Sequence, residues 1–174
     1  CCGRFCNKRK KRKIKTSYCK HINFYDLIER RVKGEPISHI IGSRYFWKDK
    51  FDVNRNVLDP RPESELIVEI GSKFLVDGCK VLDLGAGSGC IGLSLKREKP
   101  GINLTLSDIS KSAIQVMKKN AKILKMECQF VNSNLFRNIE DNFDLIVCNL
   151  PYIKSSQLTS LPQDVILFEP HEAL

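Results

Sequence analysis

At 174 residues with 42% apolar side chains, the chain is long enough for one domain with a sizeable core. Its formal charge of +9 invites a nucleic-acid reading, yet nine of the 29 Lys and Arg lie in residues 1–20, where Asp and Glu are absent, and the remainder is neutral. That distribution argues against a basic nucleic-acid-binding body.

The leader CCGRFCNKRKKRKIKTSYCK (1–20) has no apolar stretch long enough for a signal peptide or a membrane span. It opens on Cys1 and not on Met, so residue 1 need not be a natural start. Like-charge runs are usually disordered, and a solvated tail is the expectation. A basic arm for weak RNA or ribosome contact and a Cys-plus-polybasic lipid anchor are the alternatives. Eight cysteines in a chain this long, without a secretory signal, do not read as a disulfide framework. Cys79, Cys90, Cys128 and Cys148 sit singly beside apolar runs, where a reduced Cys packs as a small hydrophobe. There is no CxxC pair, and Cys19-Lys20-His21 is too sparse for zinc, so no metal and a reducing cytoplasm are expected.

In chain order, INFYDLIERRVKG (22–34) carries Phe24, Leu27, Ile28 and Val32 near helical spacing and stops at Gly34. Residues 35–65 are rich in aromatic and β-branched side chains, broken at Gly42 and at the KDK region. They read as short strands in hairpin arrangement. ELIVEIGSKFLV (65–76) reads as a helix opening behind the two prolines of PRPESE. From residue 79, strand and helix alternate: CKVLDLG, SGCIGLSLKREKP, INLTLSD, SKSAIQVMKKNAKILKM, then the strands CQFVNSN and FDLIVCN. Short loops between such segments predict a doubly wound α/β sheet, its four strands in order 3-2-1-4. The organisation is a leader (1–20), a helix-and-hairpin segment (21–64) and a partial catalytic domain (65–174).

The first strand-to-helix turn, DLGAGSG, holds Asp83 and the run Gly85, Ala86, Gly87, Ser88, Gly89. Glycines there let the chain turn tightly and let a ligand approach a helix N-terminus. The dinucleotide fingerprint GxGxxG would place its last glycine at Cys90. GxGxG instead suits a cofactor with a nucleoside and an amino acid but no pyrophosphate, and S-adenosylmethionine fits. Asp108, at the tip of the second strand, stands where a carboxylate can hold both ribose hydroxyls, although it or Ser110 would also serve as a helix cap.

The fourth strand ends in Asn149-Leu150-Pro151-Tyr152, similar to the Asn-Pro-Pro-Tyr of one class of methyltransferases. The resemblance implies that the Asn149 carboxamide and the Leu150 carbonyl accept hydrogen bonds from a substrate NH2. Tyr152 would stack on the planar group, and Pro151 restrict Leu150 to extended backbone. The segment GEPISHIIGSRYFWKDKFDVNRNVLDPRPESE then resembles the HemK/PrmC family, the glutamine-N5 methyltransferases of peptide chain release factors. Matching residues are Gly34, Glu35, Pro36, Ile41, Gly42, Phe46, Pro60, Arg61, Pro62, Glu63 and Glu65, with DLGAGSGCI and FEPHEAL as further matches.

That resemblance, over residues 27–174, implies a Rossmann-like class I S-adenosylmethionine-dependent methyltransferase acting on a glutamine of a release factor. Asp83, Gly85–Gly89 and Asp108 would hold the cofactor, and Asn134 and Leu135 would lie near the adenine. Asn149, Leu150, Pro151 and Tyr152 would form the acceptor site. Leu150 stands where the family has Pro, and NLPY is commoner in RNA adenine-N6 dimethyltransferases, the alternative activity. The chain also stops at Leu174, before the last three strands of the usual seven, which predicts an incomplete sheet and a fragment or non-catalytic remnant.

Overall fold

A computed structural model describes residues 24–151, 162–170 and 173. The leader and Tyr152 lie outside the described residues. Helix α1 (Phe24–Val32) ends as expected at Gly34, whose φ is +91°. The stretch after it departs from the hairpin expectation, because Ile37–Ile41 forms a short helix, α2. Pro36, at φ −57°, opens it, and Gly42, in the left-handed region at φ +72°, closes it through an N–H bond to the Ser38 carbonyl. The hairpin is confined to β1 (Ser43–Phe46) and β2 (Asp49–Asp52). Its turn falls on Trp47-Lys48, one step ahead of the KDK region, with Trp47 at φ +54°. The Trp47 amide is satisfied by the Glu65 carboxylate at 2.8 Å, a long-range contact that no local pattern reveals.

A 3-10 turn (Pro62–Ser64) leads into α3 (Glu65–Ser72). The remainder follows the expected alternation: β3 (Lys80–Leu84), α4 (Cys90–Glu98), β4 (Asn103–Asp108), α5 (Lys111–Leu124), β5 (Gln129–Asn132), β6 (Leu145–Cys148) and α6 (Gln163–Phe168). The four strands β5-β4-β3-β6 form one parallel sheet, in the order anticipated. Strand β3 is central and has Val81, Leu82, Asp83 and Leu84 buried, which explains why KVLDL is apolar without alternation. Helix α4 presses on it with Cys90 through Leu95 all buried.

One core cluster joins β3, β4, α4 and α5 to Phe46 and Phe51 of the hairpin, which meet edge to face at 6.2 Å. Trp47 and Glu98 bond through the indole N–H at 2.6 Å, and Arg97 grips Asp49 with two bonds of 2.8 and 2.6 Å. Of the four described cysteines, all free, Cys90 is buried and Cys79 and Cys128 are half-buried. Cys148 is exposed, because it ends a strand at the rim of the sheet, and so departs from the packed role expected of it. No helix among the described residues is long and apolar enough to cross a membrane.

Candidate active site

A cavity of about 210 Å³ opens at the carboxyl ends of β3, β4, β5 and β6. The chain leaves β3 toward β4 and β5 on one side and places β6 on the other, so this is the point where strand order reverses. Open α/β sheets form their ligand crevice there. Its floor is Leu84, Gly85, Ala86 and Ser88; its sides are Asp108 at the end of β4 with Ile109 and Ser110 beyond it, and Ser133, Asn134 and Leu135 after β5. Asn149, Leu150 and Pro151 close it beyond β6, facing Pro60, Arg61 and Ser64 of PRPES.

The glycine turn is tied to its neighbours by backbone bonds. Gly85 and Ala86 N–H groups both donate to the Ser107 carbonyl at 2.9 Å, and Gly89 N–H reaches Ala86 O at 2.7 Å. Gly85 has φ +72°, and a Cβ placed on it would come within 2.7 Å of Leu150 Cδ2. The turn and Leu150 therefore touch, and the left-handed φ at position 85 favours glycine. At Gly87 an added Cβ would meet nothing within 4 Å, so the backbone there borders open space. Gly87 and Gly89 shape the turn without lining the cavity.

Asp108 reaches the cavity and also staples the turn. Its Oδ2 accepts from Gly87 N–H at 2.9 Å and its Oδ1 from Ser110 N–H at 2.9 Å. Each oxygen keeps a lone pair for an outside donor such as a ribose hydroxyl. The helix-cap role falls to Ser110, whose hydroxyl accepts from Ala113 N–H at 3.3 Å. Asp83 is placed differently. It is buried beneath α4, with Oδ2 accepting from Gly92 N–H at 2.8 Å, and it does not line the cavity. Burial, opposed by the Gly92 bond and reinforced by the Asp108 charge, pushes its carboxyl up to about 7. Cys90 borders the cavity, but burial raises its thiol to about 12, so it is no nucleophile at neutral pH.

Asn134 and Leu135 both line the cavity, Leu135 at φ +51°, with its carbonyl held by Ser133 Oγ at 2.7 Å. Asn149 lines it too, its Nδ2 donating to Ser64 Oγ at 3.3 Å. Three contributors escape sequence reasoning: Arg61 and Ser64, and Asn120 of α5. Asn120 Nδ2 donates to the Ser88 carbonyl at 2.9 Å and to Asp52 O at 3.0 Å, while its Oδ1 accepts from Asp52 N–H at 2.7 Å. The PRPESE resemblance marked Arg61 as a family feature without a role and did not single out Ser64. An Asn in the middle of an amphipathic helix was the one available sign of the third.

Residues 62–170 match the model of the methyltransferase small domain. The chain belongs to the methyltransferase small domain family. Among curated relatives, this chain is 46% identical over 159 residues to the release factor glutamine methyltransferase of Leptospira interrogans, covering 87% of this chain and 56% of the relative. It is 39% identical over 164 residues to that of Buchnera aphidicola, covering 92% and 59%. The HemK/PrmC resemblance carried by PRPESE and DLGAGSGCI is thus borne out, and the chain spans about half the length of the curated relatives it matches. Among solved structures, the T. Thermophilus 16S rRNA methyltransferase RsmC, in complex with AdoMet and guanosine, superposes with a TM-score of 0.53 at 24% identity. That match covers 65% of this chain and 33% of the other. It supports the Rossmann-like methyltransferase fold.

Proposed function

We propose that the protein transfers a methyl group from S-adenosylmethionine to the side-chain amide nitrogen of a glutamine in a peptide chain release factor. The observation that carries this reading is the meeting of Asn149-Leu150 with the glycine turn in one cavity that also holds Asp108. The names of the relatives at 39–46% identity support the release-factor substrate, and such a substrate implies reaction in the cytoplasm.

The glycine turn and Asp108 hold the cofactor, Asp108 through its free lone pairs and Asn134 through its carboxamide near the adenine. The cofactor supplies an electrophilic methyl on sulfur. Asn149 Oδ1 and the Leu150 carbonyl accept the two N–H groups of the glutamine amide, which fixes its nitrogen facing the methyl. Pro151 holds the Leu150 carbonyl in direction, and stacking on the amide plane is the role that the family resemblance gives to Tyr152. The amide nitrogen would gain the methyl as the methyl–sulfur bond breaks with its electron pair left on sulfur, and would give one proton to solvent. Orientation supplies most of the rate, since a positioned pair reacts as though at very high effective concentration.

The test is methyl incorporation from labelled S-adenosylmethionine into a release-factor peptide containing a GGQ loop, using the protein expressed from its complete reading frame. Asn149→Ala should lower turnover about tenfold to a thousandfold, with cofactor affinity held. Methyl transfer to RNA and not to the peptide would overturn the glutamine assignment in favour of an adenine-N6 activity.

A further inference from the structure

PRPES does more in three dimensions than mark a family. Arg61 precedes Pro62 and takes the extended backbone that a following proline imposes, at φ −95° and ψ 137°. Pro62 then starts a 3-10 turn, and Ser64 N–H returns to the Arg61 carbonyl at 3.0 Å. This sets Arg61 and Ser64 three residues apart along one turn, and both line the cavity. From that turn two side chains reach the two ends of the same distant segment. Ser64 Oγ accepts from Asn149 Nδ2 at 3.3 Å, 85 residues away in sequence. Arg61 Nη2 donates to Glu169 Oε1 at 2.5 Å, 108 residues away, and the Glu169 side chain is only 2% exposed. Pro170, next to Glu169, forms part of the cavity wall.

We propose that Ser64 and Arg61 are positioning residues that clamp the acceptor segment at Asn149 and at Glu169. The proposal rests on the acceptor role given to Asn149 above. A carboxamide has two orientations related by a flip, and only one turns its oxygen toward an incoming NH2. With Nδ2 occupied by Ser64, Oδ1 is the atom left for the substrate. The Arg61–Glu169 pair fixes the far end, because a buried carboxylate deprived of its guanidinium cannot stay where it is without cost. One rigid turn thereby sets the distance between the two walls between which the acceptor amide enters.

The experiment uses the protein expressed from its complete reading frame, with Ser64→Ala, Ser64→Thr and Arg61→Lys. For Ser64→Ala, kcat for the GGQ peptide should fall about tenfold to a hundredfold, the effect of a misplacement of about 1 Å. Its S-adenosylmethionine affinity by calorimetry should stay within about twofold, since the Ser64 hydroxyl removed by the substitution bonds Asn149 on the acceptor side. Ser64→Thr keeps the hydroxyl and should recover most of the rate. The side-chain NH2 resonances of Asn149 should move in Ser64→Ala and not in Ser64→Thr. Arg61→Lys keeps the charge but loses the fork, and amide exchange in α6 should quicken about tenfold. Threonine failing as badly as alanine, an unmoved Asn149 resonance, or unchanged exchange in α6 would each overturn the clamp. A wild-type protein that leaves the peptide unmodified would sink the methyl-transfer reading. The resonance and exchange measurements would still decide the clamp by themselves.

Discussion

Asp83 and Asp108 stand one strand apart and do different work. Asp108 faces the cavity with both oxygens partly satisfied by backbone N–H groups, whereas Asp83 is 1% exposed and receives only the Gly92 amide. A carboxyl held near 7 in the fold and at 3.8 when free binds its proton more tightly in the folded state. Stability from this group is therefore full below about pH 4 and is lost as pH rises through about 7. Asp83→Asn keeps an oxygen for Gly92 and cannot ionise. Urea unfolding at pH 5 and pH 8 should show the variant gaining on the wild type as pH rises, by a few kcal/mol at most. Parallel pH profiles for the two proteins would show that Asp83 is readily ionised in the fold.

At the scale of elements, α4 is held against the sheet by a residue that helix propensity disfavours. Gly92 lies in its first turn, and a Cβ there would stand 2.5 Å from Leu106 Cδ2 and 3.0 Å from Asp83 Cβ and Oδ2. Replacing a helical Gly by Ala ordinarily gains about 1 kcal/mol. Here the methyl must push α4 off β4, and overpacking of this kind costs about 1–3 kcal/mol. Gly92→Ala should accordingly lower the urea midpoint with little change in slope, and a raised midpoint would contradict the tight packing of α4 on the sheet. The same logic of local against tertiary preference explains α2. Pro36 and Gly42 set a short helix in a stretch whose composition is that of strands.

Across the whole molecule, the hairpin, the glycine turn and α5 are joined at Asn120, 1% exposed, which bonds to Asp52 and to Ser88 O. Phe46 and Phe51 lie in the same core as Val81, Leu93 and Leu106. Unfolding of the hairpin and of the sheet should therefore coincide. Trp47 sits in the hairpin turn and is the only tryptophan of the 174-residue chain, so its fluorescence reports there while far-UV circular dichroism reports the sheet and helices. The two transitions should superimpose. Asn120→Ala leaves the Asp52 N–H and the Ser88 carbonyl without that partner, at about 1–3 kcal/mol for each buried group so exposed. It should lower both transitions together. A fluorescence transition that alone moved would mean the hairpin folds apart from the sheet.

The sequence by itself determined the α/β alternation, the strand order, the glycine turn and the place of Asn149-Leu150-Pro151 just beyond the fourth strand. These depend on short-range causes: apolar runs long enough for buried strands, glycines where φ is positive, and a proline fixing its neighbour. The family followed from PRPESE and DLGAGSGCI. Tertiary structure alone decided which carboxylate meets the cavity, since Asp83 and Asp108 are both acidic residues at or near a strand end and differ only in what packs above them. It alone gave PRPESE its contacts, because Arg61, Ser64 and Glu65 find their partners at Glu169, Asn149 and Trp47. Contacts across 18 to 108 residues leave no periodicity in the chain, and they exist only after the sheet has brought its strand ends together.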